Sequence, residues 1–166
     1  KNAAFLGDGN TSLEQRLEPG TIGRFVEFFR GFADRCHHCK EEDRLFPCLE
    51  ACGMPREQGP IAVMLHEHQL GRDHVRAIAE SCPAAEAGNP SAFLAVLEHG
   101  RAFLELLRHH IMKEDHVLFE MADQMITGPR IVELTNSYSQ AESQTAAVGG
   151  GYRDTFTRCR ALADEL

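Results

Sequence analysis

Apolar residues recur at steps of three and four near the start of the chain, the spacing of one face of an α-helix. The stripe turns polar midway and consists of Ile22, Val26, Phe29, Ala33, His37, Glu41 and Leu45. This pattern predicts a helix over residues 21–46, and Pro47 is expected to end it. A short helical turn over residues 48–52 is expected to follow.

A second helix is predicted over residues 60–82. Gly59-Pro60 opens it, because proline is tolerated in a first turn, where its missing N–H has no partner to lose. The inner face of this helix carries apolar residues and one histidine, His68. Pro83 and Gly88 are expected to form the loop that comes next.

A long helix is predicted over residues 90–126. Asn89-Pro90 repeats the cap-and-proline signature at its start, and Gly128-Pro129 marks its end. Its inner stripe also mixes apolar and polar residues, which are Val96, Gly100, Phe103, Leu107, His110, Glu114, Val117 and Met121.

The C-terminal part has a weaker pattern. Periodicity is poor over residues 130–147, three glycines interrupt at 149–151, and a helical pattern resumes over 152–166. We therefore predict a bundle over residues 1–128 and, packed on it, a C-terminal extension of one or two helices over 129–166. No stretch alternates as a β-strand does, so the predicted fold class is all-α.

Composition narrows the functional classes. The 166 residues are 43% hydrophobic and 25% charged, which is typical of one ordinary globular domain. The net charge of −8, without a Lys/Arg cluster, argues against nucleic-acid and acidic-lipid partners. No apolar stretch reaches the ~20 residues of a membrane span. Residues 1–6 are too short for the apolar region of a signal peptide, so a cytoplasmic location is expected.

One ten-residue pattern occurs twice. Residues 37–46 read HHCKEEDRLF and residues 110–119 read HIMKEDHVLF, so that a His, a Lys, a Glu, a second acid, a Leu and a Phe coincide. Each copy places an imidazole four residues before a carboxylate. On a helix, two side chains at this spacing project from one face, about one turn apart.

These paired residues indicate a metal centre. A buried imidazole and carboxylate are costly unless they are paired or bind a metal. Here His37 and Glu41 come from one helix, His110 and Glu114 from another, and His68 from a third. Imidazoles and carboxylates suit Fe, Mn or Zn, and inward-facing His/Glu sets in helical bundles hold pairs of metal ions.

The residues resemble the hemerythrin-like (HHE cation-binding) family over about residues 20–126. The matching marks are the run His37-His38-x-x-Glu41-Glu42-x-x-Leu45-Phe46-Pro47, the pair Glu67-His68 and the run His110-x-x-Lys113-Glu114-Asp115. The resemblance implies an up-down four-helix bundle around two iron ions without haem, joined by carboxylate and oxo bridges. It implies Glu41 and Glu114 as bridging ligands, and His37, His68 and His110 as terminal ligands.

The chain departs from the family pattern at one ligand. Family members usually supply a further histidine from the first helix, and residues 1–36 contain none. We interpret residues 1–6 as the end of a truncated first helix whose ligand lies upstream of Lys1. Otherwise one iron lacks a ligand or the site holds a single metal. Asp115 also lies at a spacing that some hemerythrins use, but Glu114 matches Glu41 and is preferred; Asp115 is expected to be solvated or to orient a ligand.

The other histidines are expected to lie outside the site. His38, His109 and His116 project about 100° or more away from the metal-facing positions of an α-helix, so they are predicted to be exposed. His66 and His74 are predicted to be exposed for the same reason. His99 shares the face of His110 but lies about 16 Å away along the axis, which would place it on an access path.

Six cysteines leave two alternatives open. Cys36-x-x-Cys39 and Cys48-x-x-x-Cys52 could hold a structural zinc ion or pass electrons to the iron. They could instead be small side chains on helices. This interpretation is preferred, because Cys36 and Cys39 are expected to be helical and Cys48-x-x-x-Cys52 does not have the tight spacing of a zinc knuckle. Free thiols are expected rather than a disulfide framework.

The resemblance favours a protein that binds O2, NO or peroxide for sensing, storage or redox protection. The alternative is a di-iron enzyme that reduces peroxide or NO, or that donates iron in iron–sulfur cluster repair. A ferritin-like oxidase is disfavoured, because the Glu-x-x-His spacing of that class is missing from the long helices. The C-terminal extension is a candidate surface for a protein partner, and the oligomeric state stays open.

Overall fold

The computed structural model of the chain describes residues 20–147 and Thr157. These residues form four helices: α1 over residues 21–51, α2 over Gly59–Glu86, α3 over residues 90–125 and α4 over Pro129–Ala147. No strand occurs in this described part, which confirms the all-α class. The predicted end of a first helix over residues 1–6, and all of the predicted 152–166 helix except Thr157, lie outside the described residues.

Two of the helices contain π-helical stretches, in which the turn is wider than in an α-helix. In α1 they cover Phe29–His38 and Glu41–Leu45, and in α3 one covers Glu114–Leu118. The two five-residue stretches begin at the two glutamates of the duplicated sequence and end at its two leucines. The repeat in the sequence is therefore a repeat in backbone form. Stretches of this kind are rare and are frequently found at functional sites.

The prediction that Pro47 ends the first helix was wrong. After the second π-helical stretch, α1 continues through an α-helical segment, Phe46–Ala51, whose first turn contains the proline. A first turn tolerates proline, because its missing N–H would have had no partner there.

Pro83 was also expected to lie in a loop, but it lies within α2, which runs on to Glu86. Burial of Cys82 and Ala85 stabilises this last turn. The other boundaries match closely: Pro60 lies in the first turn of α2, and the Asn89 side chain caps α3 by accepting the Ala92 N–H at 3.1 Å.

Two apolar clusters flank a polar band. The smaller cluster contains Val26, Val75 and Phe103. The larger one is built from Leu45, Phe46, Leu49, Met54, Ile61, Met64, Leu118, Ala122 and Ile126. Along each of α1, α2 and α3, the histidines and glutamates of the predicted site lie between residues of the two clusters. The site is therefore enclosed by core at both ends.

Helix α4 packs on the larger cluster. Its Leu134 and Tyr138 contact that cluster, and its Glu142 forms an ion pair with Lys40 of α1. The periodicity over residues 130–147 was weak because few α4 side chains are buried; Val132, for example, is 61% exposed. A domain boundary at residue 128 stays a prediction. Among the described residues, no helix combines the length and apolar character that crossing a bilayer requires.

His74 and His99 form a pair that the sequence did not indicate. Both are half-buried, and their Nδ1 atoms lie 3.0 Å apart across the contact between α2 and α3. His74 was expected to be exposed, and this expectation was wrong. A place for His99 on an access path stays a prediction. Burial, and then the neighbouring His99, lower the pKa of His74.

The His74–His99 pair predicts a loss of stability in acid. The folded state favours neutral His74, so stability is complete above the unfolded pKa of about 6.5 and falls as pH drops below it, because the unfolded chain binds more protons. His99→Gln should cost about 1 kcal/mol at about pH 7.5. Its free energy of unfolding should then fall less steeply than that of the wild type down to about pH 5.5. Urea titrations at several pH values test this, with His109→Gln, which removes an exposed histidine of the same helix, as the control.

Candidate metal centre

Four of the five predicted site residues converge at the polar band. One side-chain ligand atom from each of Glu41, His68, His110 and Glu114 lies within 4.8 Å of the corresponding atoms of the others. All four residues are buried. Three helices supply them, so the cluster exists only because α1, α2 and α3 pack together.

The converging atoms have no hydrogen-bond partners. This holds for both carboxylate oxygens of Glu41, for Nε2 of His68 and of His110, and for Oε1 of Glu114. His68 Nε2 lies 3.2 Å from Glu41 Oε2, and His110 Nε2 lies 2.9 Å from Glu114 Oε1, but neither approach has hydrogen-bond alignment. Buried polar atoms almost always have a hydrogen-bond partner. A group of unpaired oxygen and nitrogen atoms that face one space therefore fits a cation site.

His37, the fifth predicted residue, lies at the rim. Its side chain is 42% exposed, and its Nε2 lies 3.5 Å from Glu114 Oε1 and 3.9 Å from Glu41 Oε2. It thus approaches both carboxylates from the solvent side. Its spacing to Glu41 matches that of His110 to Glu114, but the structure leaves His37 half-exposed.

The electrostatics keep the Glu114 carboxylate in the form that a metal needs. Burial by itself would raise the pKa of Glu114, but His110 and His37 outweigh burial and hold that pKa well below its usual range. The neighbouring Glu114 raises the pKa of His37. Burial acts to lower the pKa of His110, and Glu114 and Glu67 outweigh it and raise that pKa. The carboxylate is therefore ionised at neutral pH, as metal coordination requires.

A second layer of charges orients the two buried imidazoles. His68 Nδ1 lies 2.7 Å from Glu42 Oε1, and Arg72 donates to the same oxygen at 2.6 Å. His110 Nδ1 lies 3.1 Å from Glu67 Oε2, and Lys113 pairs with that carboxylate. Because Nδ1 of each ring is engaged outward, Nε2 faces the interior.

Sequence reasoning missed Glu42 and Glu67 as supports. Both stand next to a predicted ligand, in the pairs Glu41-Glu42 and Glu67-His68, and this adjacency is the signal that could have found them. Asp115, the acid for which an orienting role was considered, is exposed.

The chain matches the family model described as the Hemerythrin HHE cation binding domain over residues 4–122. The chain belongs to this family. The resemblance on which the sequence analysis relied is thereby confirmed, and the matched region includes every residue of the cluster. Comparison with curated proteins and with solved structures returns no match.

In this hemerythrin HHE domain, His38 departs most from the sequence prediction. It was expected to be exposed, as His66, His109 and His116 indeed are, but it is buried. Its ring stacks on that of His68, with centroids 3.9 Å apart and planes 14° apart. The angular argument assumed an α-helix of about 100° per residue. His38 ends a π-helical stretch, where each residue turns through less, so it is carried inward.

Burial, and then the neighbouring His68, lower the pKa of His38 to about 2. The ring is therefore neutral at physiological pH, and its unprotonated nitrogen keeps a lone pair.

The cysteines of the described part take no place in the cluster. Cys36 is buried, Cys39 is exposed, and Cys48 and Cys52 are half-buried and free. Within the described residues no cysteine joins a group of three or more ligating side chains, so the zinc alternative gains no support. Arg130 of α4 donates to the Cys52 sulfur at 3.0 Å.

The second layer of charges predicts a measurable effect on metal binding. Glu42→Gln keeps the shape of the side chain and an oxygen that can accept a hydrogen bond from His68. It removes the negative charge, which raises the basicity of the His68 imidazole as a ligand and pairs with Arg72. Metal affinity should fall about 10–100-fold while the helical content is unchanged. Competition against a chromophoric chelator measures this. Asp43→Asn, which neutralises the exposed acid next to it, should leave the affinity unaltered; equal losses in both variants would contradict the role of Glu42.

Proposed function

We propose that this metal-binding domain is a non-haem di-iron protein that binds O2, NO or peroxide for sensing, storage or redox protection. In this proposal Glu41 and Glu114 bridge the two ions, and His37, His68 and His110 are terminal ligands. The observation that carries it is the group of buried, unpaired carboxylate and imidazole atoms within 4.8 Å of one another.

The donor set supports iron without requiring it. Neutral imidazoles and carboxylates without a thiolate suit Fe, and they suit Mn or Zn as well. When bound, two iron ions supply open coordination positions and electrons for a small oxidising or diatomic ligand. The chain supplies the surroundings: oriented imidazoles, buried carboxylates and apolar core at both ends of the site.

A cavity next to the imidazoles supports a small ligand. Its volume is about 170 Å³, and apolar side chains, those of Phe29, Val75, Phe103, Leu106 and Leu107, form most of its wall. His68 and His110 are also part of its lining. Because an apolar cavity of about 150 Å³ holds a molecule as large as benzene, this volume is ample for a diatomic gas or peroxide.

The lining favours binding over reduction of the ligand. Reduction of peroxide or NO also consumes protons, which a positioned acid would deliver. The carboxylates of the described lining are Asp34 and Glu67, which are held by Arg72 and Lys113 respectively. Burial would raise the pKa of Glu67, but Lys113 and His110 outweigh it and lower that pKa. Both carboxylates are therefore engaged in ion pairs, and the lowered pKa of Glu67 disfavours it as a proton donor.

Metal analysis and absorption spectra test the proposal. The full chain, reconstituted with Fe(II) without air, should hold two irons, and exposure to O2 or NO should change the near-ultraviolet spectrum reversibly. Repeated turnover with peroxide would support the enzymatic alternative instead. A reconstituted protein that retains no iron would overturn the di-iron assignment. Cytoplasmic location and a protein partner for the C-terminal extension stay predictions.

A further inference from the structure

His38 has the features of a ligand without having been counted as one. It is 7% exposed, and its Nδ1 is buried with no hydrogen-bond partner. The nearest acid on its own helix, Asp34, has its Oδ1 3.8 Å from this nitrogen, beyond hydrogen-bonding distance, and that oxygen accepts from Arg72 instead. A histidine buried only for packing would have this nitrogen paired, or would be replaced by an apolar ring at less cost.

His38 lies close to two other buried histidines. One ligand atom each from His38, His68 and His110 lies within 4.8 Å of the other two, so three buried imidazoles converge. His68 and His110 also belong to the group with Glu41 and Glu114. His38 is not a member of that second group, but the two groups share His68 and His110 and are therefore neighbours.

The histidine side of these groups faces the cavity. His38, His68 and His110 all line it, whereas Glu41 and Glu114 are not part of its described lining. A third imidazole here would complete the coordination of an ion beside the opening through which a small ligand arrives.

We propose that His38 is a further metal ligand, which binds through Nδ1 and completes a three-imidazole face with His68 and His110. This inference rests on the proposed di-iron function. It would provide a histidine ligand from within α1 in addition to His37. The π-helical stretch Phe29–His38 is what directs the side chain inward next to His37.

Counting imidazoles on the metal tests the proposal directly. X-ray absorption of the full chain, loaded with Fe(II), should show four coordinated histidines over two ions in the wild type. His38→Phe, which keeps a flat ring against His68 but has no nitrogen, should show three. The affinity for Fe(II), measured against a chelator, should fall at least about tenfold in this variant.

Control variants distinguish a failure of the His38 proposal from misfolding of a variant and from a failure of the di-iron proposal. His109→Phe, which changes an exposed histidine of α3, should keep the wild-type imidazole count and affinity. His38→Gln provides a smaller side chain in case phenylalanine disturbs folding, and circular dichroism verifies the fold of each variant. An unchanged count and affinity in folded His38 variants would overturn the role of His38 and leave the di-iron proposal intact. A wild type that binds no iron would overturn both.

Discussion

Replacing Glu114 by glutamine is expected to lower metal affinity by at least about 100-fold and to reduce the iron content below the two ions per chain of the proposed centre, to about one or none. The carboxylate lies between His110 and His37, and its Oε1 is buried without a hydrogen bond. An amide has the same shape but presents no charge to a cation and cannot bridge two of them. Iron analysis and chelator competition measure the loss.

Asp115→Asn is the matched control for Glu114→Gln. Asp115 is the next residue along the chain and is exposed, so its substitution should leave the iron content unchanged. The pair of variants also decides between the two acids that the sequence left in competition. A loss of iron in Asp115→Asn with retention in Glu114→Gln would make Asp115 the bridging acid and would contradict the geometry described above.

Phe46→Ala is expected to lower the free energy of unfolding by about 3–5 kcal/mol. Phe46 is fully buried in the larger apolar cluster, and its ring lies 5.9 Å from that of His68, nearly parallel to it. Truncation removes apolar surface and leaves a cavity beside a metal-facing imidazole. Urea unfolding of the metal-free protein gives the stability, and the affinity for Fe(II) should fall as well, because the wall that orients His68 is lost.

Val132→Ala is the control for this core substitution. Val132 is an exposed residue of α4, and its truncation should change stability by less than about 0.5 kcal/mol. A Phe46→Ala protein that loses less than about 1 kcal/mol would show that the site can collapse around the missing ring. It would contradict the view that the Phe46 ring is needed to hold His68 in place.

Helix positions followed from the sequence because they depend on local spacing. The stripes in residues 21–46, 60–82 and 90–126 predicted the three long helices to within a few residues, apart from the end of the first. Pro47 and Pro83 were misplaced because a proline's cost depends on which backbone carbonyls are already paired, and this is a property of the folded helix. The π-helical stretches were not predicted either, because the sequence analysis assumed the α-helical repeat along the whole of each helix.

The candidate metal centre could be predicted only in part from local spacing. The i, i+4 spacing within each copy of the repeat, and the family resemblance, pointed to His37, Glu41, His68, His110 and Glu114. The supports Glu42 and Glu67 were adjacent in sequence to these residues, but their partners are distant: Arg72 is thirty residues from Glu42, and Lys113 is 46 residues from Glu67. Pairings over such separations depend on how the helices pack.

The sequence alone therefore determined the helical class, the family and the two His/Glu pairs, since each follows from residues a few positions apart. Only the tertiary structure decided that His38 is buried, that His37 is half-exposed, and that His74 meets His99. Burial and pairing are set by which helices face each other and by the local width of the helical turn. A pattern in the sequence can place a residue on one face of a helix, but it does not identify the residues of other helices that the side chain contacts.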